Sequence, residues 1–296
     1  MIGRALVLGL FACTRIMVAE YVFQTIDAPG PAVAINDSGQ ILIGGVGVLN
    51  SDGTFTTIEV PGSFETVLTG INDSGTVIGY SRTDASLNPP YSFLYNAGTF
   101  TPITVPGSIY TETAGISDEG QFVGTYIPMC NCVALGFLYN GAKFTTLNVP
   151  FSLAMYPNAV NNSGEIVGRA ELVGGPGNVF SEGFLYSKGN YTTFPPFDNR
   201  GDTAFTGIND AGDIVGHKGA NGFVYKNGVF SSLAVPGSSF TAPVGINDAG
   251  EIVGLYGTGL FRKSFLAIPV PEPGTLVLIV SGFLISGLTW VLRNRF

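Results

Sequence analysis

The sequence predicts an all-β protein, a six-bladed β-propeller with four-stranded blades, on three observations. A short turn motif recurs six times along 296 residues. Two further apolar segments follow each copy in a fixed order, completing a repeat unit. The sixth copy of the second of these segments stands at the front of the chain, not at its end.

The turn motif reads "INDSGQILIG" at Ile35, "INDSGTVIG" at Ile71, "ISDEGQFVG" at Ile116, "VNNSGEIVG" at Val160, "INDAGDIVG" at Ile208 and "INDAGEIVG" at Ile246. The first following segment is "YSFLYN" at Tyr91, "GFLYN" at Gly136, "GFLYS" at Gly183 and "GFVYK" at Gly222, with weaker copies "VGVLN" at Val46 and "KSFLA" at Lys263. The second is "TFTTIEVPGS" at Thr54, "TFTPITVPGS" at Thr99, "KFTTLNVPFS" at Lys143, "NYTTFPPFDN" at Asn190 and "VFSSLAVPGS" at Val229. These runs are short, rich in Val, Ile, Phe, Tyr and Thr, and bounded by Gly, Pro, Asn or Asp, so they read as strands. Each unit holds four: A ends in the Ile before the turn, B is "xIVG", C is "GFLY" and D is "FTTIxV".

A repeat of this length with four strands per unit is the signature of a propeller, although a β-solenoid can share it. The displaced D strand decides between them. "YVFQTIDAPG" at Tyr21 matches the D segment, while the last unit ends at "KSFLA" without one. An open stack needs caps at both ends, whereas a ring completes its last blade with its first strand. Residues 21–27 are therefore expected to pair with the blade carrying Ser264 to Leu266, hiding an edge that would invite aggregation.

The turn motif itself reads as a three-residue hairpin connection. Asn accepts backbone N–H bonds, Asp and Ser take the central positions of a type I turn, and Gly takes the left-handed position. Calcium is the rival reading, because Asn and Asp oxygens are hard ligands. It needs six to eight converging oxygens, and each unit offers one Asp on its own blade. The fourth copy has Asn162 in place of Asp. No metal is expected.

The unit "GINDxGxIVG…GFLYxxGxFTTIxVPG" resembles the HAF-repeat family of bacterial proteins regarded as extracellular, over nearly all of residues 21–266. The resemblance implies an exported repeat protein and brings no activity, cofactor or site residue with it.

Composition agrees with a folded, export-directed chain. Charged residues are 11% of the total and apolar residues 45%, against roughly 25% charged in ordinary domains. Gly and Pro account for 60 of 296 residues, which suits a turn-rich β protein. A net charge of -8, with no Lys/Arg cluster outside the termini, disfavours nucleic acid, whose binding requires phosphate neutralisation.

Residues 1–19 read as a signal peptide: Arg4, then an apolar run from Ala5 to Cys13, then small Ala19 before Glu20. Residues 20–268 hold the repeats. Residues 269–296 join Pro271, Glu272 and Pro273 to an uncharged stretch at 274–292, followed by Arg293 and Arg295. As a helix those residues would rise about 28 Å, enough to cross a membrane, with the arginines inside. The segment resembles the PEP-CTERM sorting signal of Gram-negative bacteria. That resemblance implies an exosortase as partner, transit through the inner membrane, and a mature protein at the cell surface or released.

Catalytic constellations are hard to find. His217, the one histidine, follows "DIVG" with no Ser, Cys or Asp motif pointing to it. Cys130 and Cys132 lack the further partners a zinc site needs. "RGD" at Arg200 to Asp202 lies in an ordinary interblade loop. A propeller glycoside hydrolase or lyase is the enzymatic alternative, and it would need two carboxyl groups near the axis. Most acids instead occupy turns (Asp37, Asp73, Asp118, Asp210, Asp248), read here as off-axis, and Glu112 has no counterpart in other copies.

In such a propeller the A–B and C–D turns share one face and the B–C and D–A connections the other, and here the latter face carries the variable loops. Function favours loops of this kind. The expected ligand-binding residues are Tyr80, Arg82, Tyr126, Arg169, His217 and Tyr256, at or near equivalent B-strand ends. Tyrosine gives a flat apolar body with a hydroxyl, and arginine a rigid fork of donors, which together suit a sugar ring or uronate. The expectation is a non-catalytic cell-surface or matrix protein binding exopolysaccharide, with no cofactor.

Overall fold

Twenty-four strands and no helix make up the described part of the chain. The computed structural model describes residues 21–84, 91–129, 133–175, 178–194, 202–259 and 261–270. The expected signal peptide, Cys130, Cys132, Arg200, Pro271, Glu272, Pro273 and the expected membrane helix lie outside the described residues.

β1 (Tyr21–Ile26) is the displaced segment. Blade 1 is β2 (Ala32–Ile35), β3 (Ile41–Ile43), β4 (Gly47–Leu49) and β5 (Phe55–Thr57). Blade 2 is β6 (Glu65–Ile71), β7 (Val77–Arg82), β8 (Tyr91–Asn96) and β9 (Thr99–Ile103). Blade 3 is β10 (Ser108–Ile116), β11 (Phe122–Pro128), β12 (Leu135–Tyr139) and β13 (Phe144–Leu147). Blade 4 is β14 (Ser152–Val160), β15 (Ile166–Gly175), β16 (Asn178–Ser187) and β17 (Asn190–Phe194). Blade 5 is β18 (Thr203–Ile208), β19 (Ile214–Lys218), β20 (Asn221–Lys226) and β21 (Val229–Leu233). Blade 6 is β22 (Phe240–Ile246), β23 (Ile252–Thr258), β24 (Phe261–Pro269) and, from the far end of the chain, β1.

The ring therefore closes as the sequence predicts. β1 is the outermost strand of blade 6, hydrogen-bonded to β24. Side chains reinforce the seam: Phe23 meets Phe265 edge to face at 5.7 Å, and the Thr25 and Tyr256 hydroxyls are hydrogen-bonded at 2.6 Å.

The core lies between blades, not within them. Val77 joins Leu42, Val48 and Ile58 of blade 1, while its neighbour Ile78 joins Ile116, Phe122 and Phe137 of blade 3. The same split recurs at Phe122 and Val123, and at Ile166 and Val167. Successive side chains of a strand point to opposite faces. The two apolar residues of "xIVG" thus supply one residue to each neighbouring interface, and a lone blade would leave both faces bare.

The A strands form the wall of a central channel of about 410 Å³. Small residues stand where adjacent A strands approach: Ala34, Gly70, Gly115, Ala159, Gly207 and Gly245. A Cβ on Gly115 would lie 2.7 Å from Ala159 Cα of the next blade. Five A strands show a register shift next to this position, and blade 1 shows one between Ala32 and Ala34. A bulge there bends each strand at the axis.

Deleting residues 21–26 should cost several kcal/mol, on the order of 3 or more, because a packed strand and its ladder go together. Denaturant unfolding of the deletion measures it; an unchanged midpoint would mean that the ring does not depend on its seam.

Candidate functional site

The six turns build the first candidate. In each, the turn glycine has φ between 72° and 78°, a conformation L side chains avoid. Five copies use Asn at the turn's first position. Its side-chain oxygen accepts the N–H four residues on, as at Gln40 and Thr76, both 2.9 Å. Its side-chain nitrogen reaches the next blade: Asn36 to the Asn72 carbonyl at 2.9 Å, Asn72 to Ser117 at 3.2 Å, Asn161 to Asn209 at 3.1 Å, Asn209 to Asn247 at 3.1 Å and Asn247 to Asn36 at 3.2 Å. Ser117, with a shorter hydroxyl, interrupts this inner circle.

The next residue forms an outer circle without a break. The backbone N–H of Asp37 donates to Asp73, Asp73 to Asp118, Asp118 to Asn162, Asn162 to Asp210, Asp210 to Asp248 and Asp248 back to Asp37, at 2.6 to 2.8 Å. The sequence-based expectation that these acids lie away from the axis is wrong. Strand A is innermost, so the turn that ends it faces the axis, and the acids converge. Oxygens of Asp37, Asp73 and Asp118 lie within 4.8 Å of one another. One oxygen from each of the three supplies half of the six that calcium takes at least.

Crowded carboxylates repel, and Asn162 relieves part of the strain by donating to Asp118 at 2.9 Å and to Asp210 at 2.7 Å. Asp37 stands diametrically opposite Asn162. Burial, with the charges of Asp248, Asp73 and Asp118, raises its pKa to about 6, against a lowering by the Asp248 N–H.

The second candidate lies on the opposite, variable face. The D–A connections bond the ends of the B strands there, as in Phe64 N–H to the Arg82 carbonyl at 2.7 Å. Across blades 2 to 4, tyrosines gather at the channel mouth. Arg82 stacks over Tyr80 at 5.3 Å and pairs with Glu65 at 2.6 Å. Arg169 stacks over Tyr156 at 4.0 Å and pairs with Glu171 at 3.0 Å. Between them the Tyr110 hydroxyl donates to Glu112 in a short hydrogen bond. Tyr110, Glu112, Thr125, Tyr156, Asn158 and Arg169 line a pocket of about 340 Å³.

All three phenols are held above the usual tyrosine range. Burial is the first cause in each; then the Glu112 hydrogen bond and charge act on Tyr110, the Glu112 charge on Tyr80, and the Glu171 charge on Tyr156. These groups stay protonated; the Tyr110 O–H is donated to Glu112, which leaves those of Tyr80 and Tyr156 as donors.

The structure brings Tyr80, Arg82 and Arg169 to this mouth and removes three other expected residues from it. Tyr126 is 9% exposed and packs in the core between blades 2 and 3, its hydroxyl bonded to Thr146 at 2.7 Å. Tyr256 makes the equivalent bond to Thr25 across blade 6. Both lie one residue beyond the position of Tyr80, and one residue reverses the face. They brace their own sheets. His217 does occupy the position of Tyr80, but it is absent from the pocket lining, and its buried Nδ1 has no partner among the described residues. Burial lowers its pKa. Tyr110, Glu112 and Tyr156 are the residues that sequence reasoning missed as a group.

One further feature marks this face. Gly62, Gly107 and Gly237 occupy the D–A turn at φ of 76° to 78°, and in the turn between blades 3 and 4 Phe151 stands there at φ 66° with 96% of its surface exposed. A bulky residue in this region is strained, and such strain gathers at functional sites.

No protein-family model matches the chain, and no curated protein matches it. Solved structures similar in shape include the following two. One is the extracellular domain assigned to a one-component system of B. thetaiotaomicron, at 14% identity and TM-score 0.43, matched over 82% of this chain. The chain spans 39% of the length of that protein. The other is the β-propeller domain of the Trilobed protease from Pyrococcus furiosus, at 8% identity and TM-score 0.47, matched over 86% of this chain and 85% of that one. The six-bladed assignment stands on the strand order itself.

A raised carboxyl pKa means that the folded state binds the proton more tightly than the unfolded one. The stability it contributes is full below the unfolded value of 3.8 and is lost as pH rises through about 6. Asp37→Asn keeps an acceptor for Asp248 N–H and removes the charge. It should raise the melting temperature at pH 7.5, with the gain shrinking toward pH 4.5, and Asn162→Asp should do the reverse. A pH-independent difference in both variants would remove the electrostatic explanation.

Proposed function

We propose that this chain is a non-catalytic, exported cell-surface or extracellular-matrix repeat protein that holds exopolysaccharide at the mouth of its propeller. The observation that carries this reading is the row of Tyr80, Tyr110 and Tyr156 on consecutive blades, two of them beneath arginines. A protonated phenol offers a sugar ring an apolar plate and a donor together. A shallow platform of this kind binds weakly, and many copies on one surface compensate by avidity.

Export is supported by the signal-like residues 1–19 and by the Pro271–Glu272–Pro273 segment. In this reading an exosortase removes the tail after transit through the inner membrane.

A hydrolase reading would rest on Glu112. Glycoside hydrolysis needs a second carboxyl at a set separation, and the nearby Glu65 and Glu171 are engaged by arginines. Phenols held above their usual range are also poor bases at neutral pH.

Tyr80→Ala combined with Tyr156→Ala should cut retention on exopolysaccharide at least about tenfold, roughly 1.4 kcal/mol, in a co-sedimentation assay. Tyr256→Phe should instead cost about 1 kcal/mol of stability and leave retention intact. Full retention by the double variant would discard this site, and glycan turnover abolished by Glu112→Gln would place the protein among enzymes.

Phe151→Gly relieves the left-handed strain and should stabilise the fold by about 1 kcal/mol while weakening retention. A gain in melting temperature with unchanged retention would separate Phe151 from the binding face.

A further inference from the structure

We infer that the mouth pocket between blades 3 and 4 selects an amine-bearing sugar, with Glu112 as the counter-charge for the ammonium group. This rests on the sugar-binding reading and specifies its ligand class. The argument is one of charge. Among the described residues, Glu65, Arg82, Glu112, Arg169 and Glu171 are the ionic side chains in the contacts described at this mouth. Arg82 pairs with Glu65 at 2.6 Å, and Arg169 with Glu171 at 3.0 Å. One face of each guanidinium is also covered, by Tyr80 and Tyr156.

Each arginine already carries a carboxylate, so a uronate would meet a neutralised pair and not a free cation. Glu112 differs. Its partner is the neutral Tyr110 hydroxyl. A half-buried carboxylate without a cation is costly, and a ligand cation recovers that cost. An anionic ligand would meet net negative charge and be repelled.

The ring of Tyr110, fixed beside Glu112, adds attraction for a cation near its face. Asn158 and Thr125, on the same wall, offer neutral partners for hydroxyl groups of the sugar. A protonated 2-amino-2-deoxy sugar within a partly deacetylated polysaccharide has this combination of a ring, hydroxyls and one positive charge.

The register provides a second handle on Glu112. Thr125 is its cross-strand partner, so Thr125→Lys would supply a permanent internal cation while the carboxylate remains. Glu112→Gln removes the charge and keeps the shape.

The test is calorimetric titration of the full chain at pH 6 with four probes: glucosamine oligomers, their N-acetylated counterparts, oligogalacturonate and 1,6-diaminohexane. The inference expects glucosamine oligomers to bind at least tenfold more tightly than the N-acetylated form. It expects that preference to vanish in both Glu112→Gln and Thr125→Lys, each unfolding at the wild-type temperature. Equal binding of acetylated and free-amine oligomers, or tighter binding of oligogalacturonate, would overturn the inference and leave the sugar-binding reading standing. Binding of the diamine alone, lost in Glu112→Gln, would support the cation site and overturn the sugar reading. No heat with any probe would overturn both.

Discussion

The fold depends on the closing of a circle of turn-to-turn hydrogen bonds around the axis. Each turn's peptide donates to the side chain of the next, and Asp248 returns the chain of bonds to Asp37. Because the hydrophobic clusters of the described residues lie between blades, an open arc would lose one link and expose two apolar faces at once. The blades are thus mutually conditional. The position of β1 follows from this: blade 6 takes its outer strand from the first described segment, and the first and last of the described strands meet at one seam.

The same circle creates a conflict. Asp is a good turn residue and a good acceptor for the neighbouring N–H, yet five of them around one axis repel. The resolution is uneven. Asn162 donates to both of its neighbours, because an amide supplies two donors where a carboxylate supplies none. At Asp37, across the ring, burial and the charges of Asp248, Asp73 and Asp118 raise the proton affinity.

Repetition made most of the fold legible in the sequence. Six copies of one turn fix the strand order, and the misplaced "YVFQTIDAPG" distinguishes a ring from a stack. The sites were less legible for two physical reasons. Tyr126 and Tyr256 sit one residue past Tyr80, and in a strand that offset turns a side chain to the other face; no repeat count reports it. Tyr110 and Glu112 do not recur at all. Where blade 3 has Glu112, the same register position holds Tyr156 in blade 4 and Val67, Ala204 and Ala242 in blades 2, 5 and 6. The departure of Glu112 and Tyr156 from the small aliphatic residues of the other three was the available signal. The turn acids failed differently: their residue type suits a hairpin so well that it hides their second role at the axis.

The two faces have divided the work of the molecule. The turn face is uniform because each unit must bond the next, so its residues have little freedom to vary. Among the described residues the opposite face bears no such circuit, and blades 3 and 4 carry long strands toward it: β10 and β14 extend to nine residues and β15 and β16 to ten, against three or four in the strands of blade 1. The longer strands lift Tyr110, Tyr156, Arg169 and Glu171 to the mouth, and the turn between blades 3 and 4 accepts strain at Phe151 where its counterparts use glycine. A scaffold whose stability is shared around a ring can carry such a local cost without losing its fold. Placed there, paired arginines and protonated phenols form a surface of rings beside Glu112, which among the described residues is hydrogen-bonded to Tyr110 and paired with no arginine.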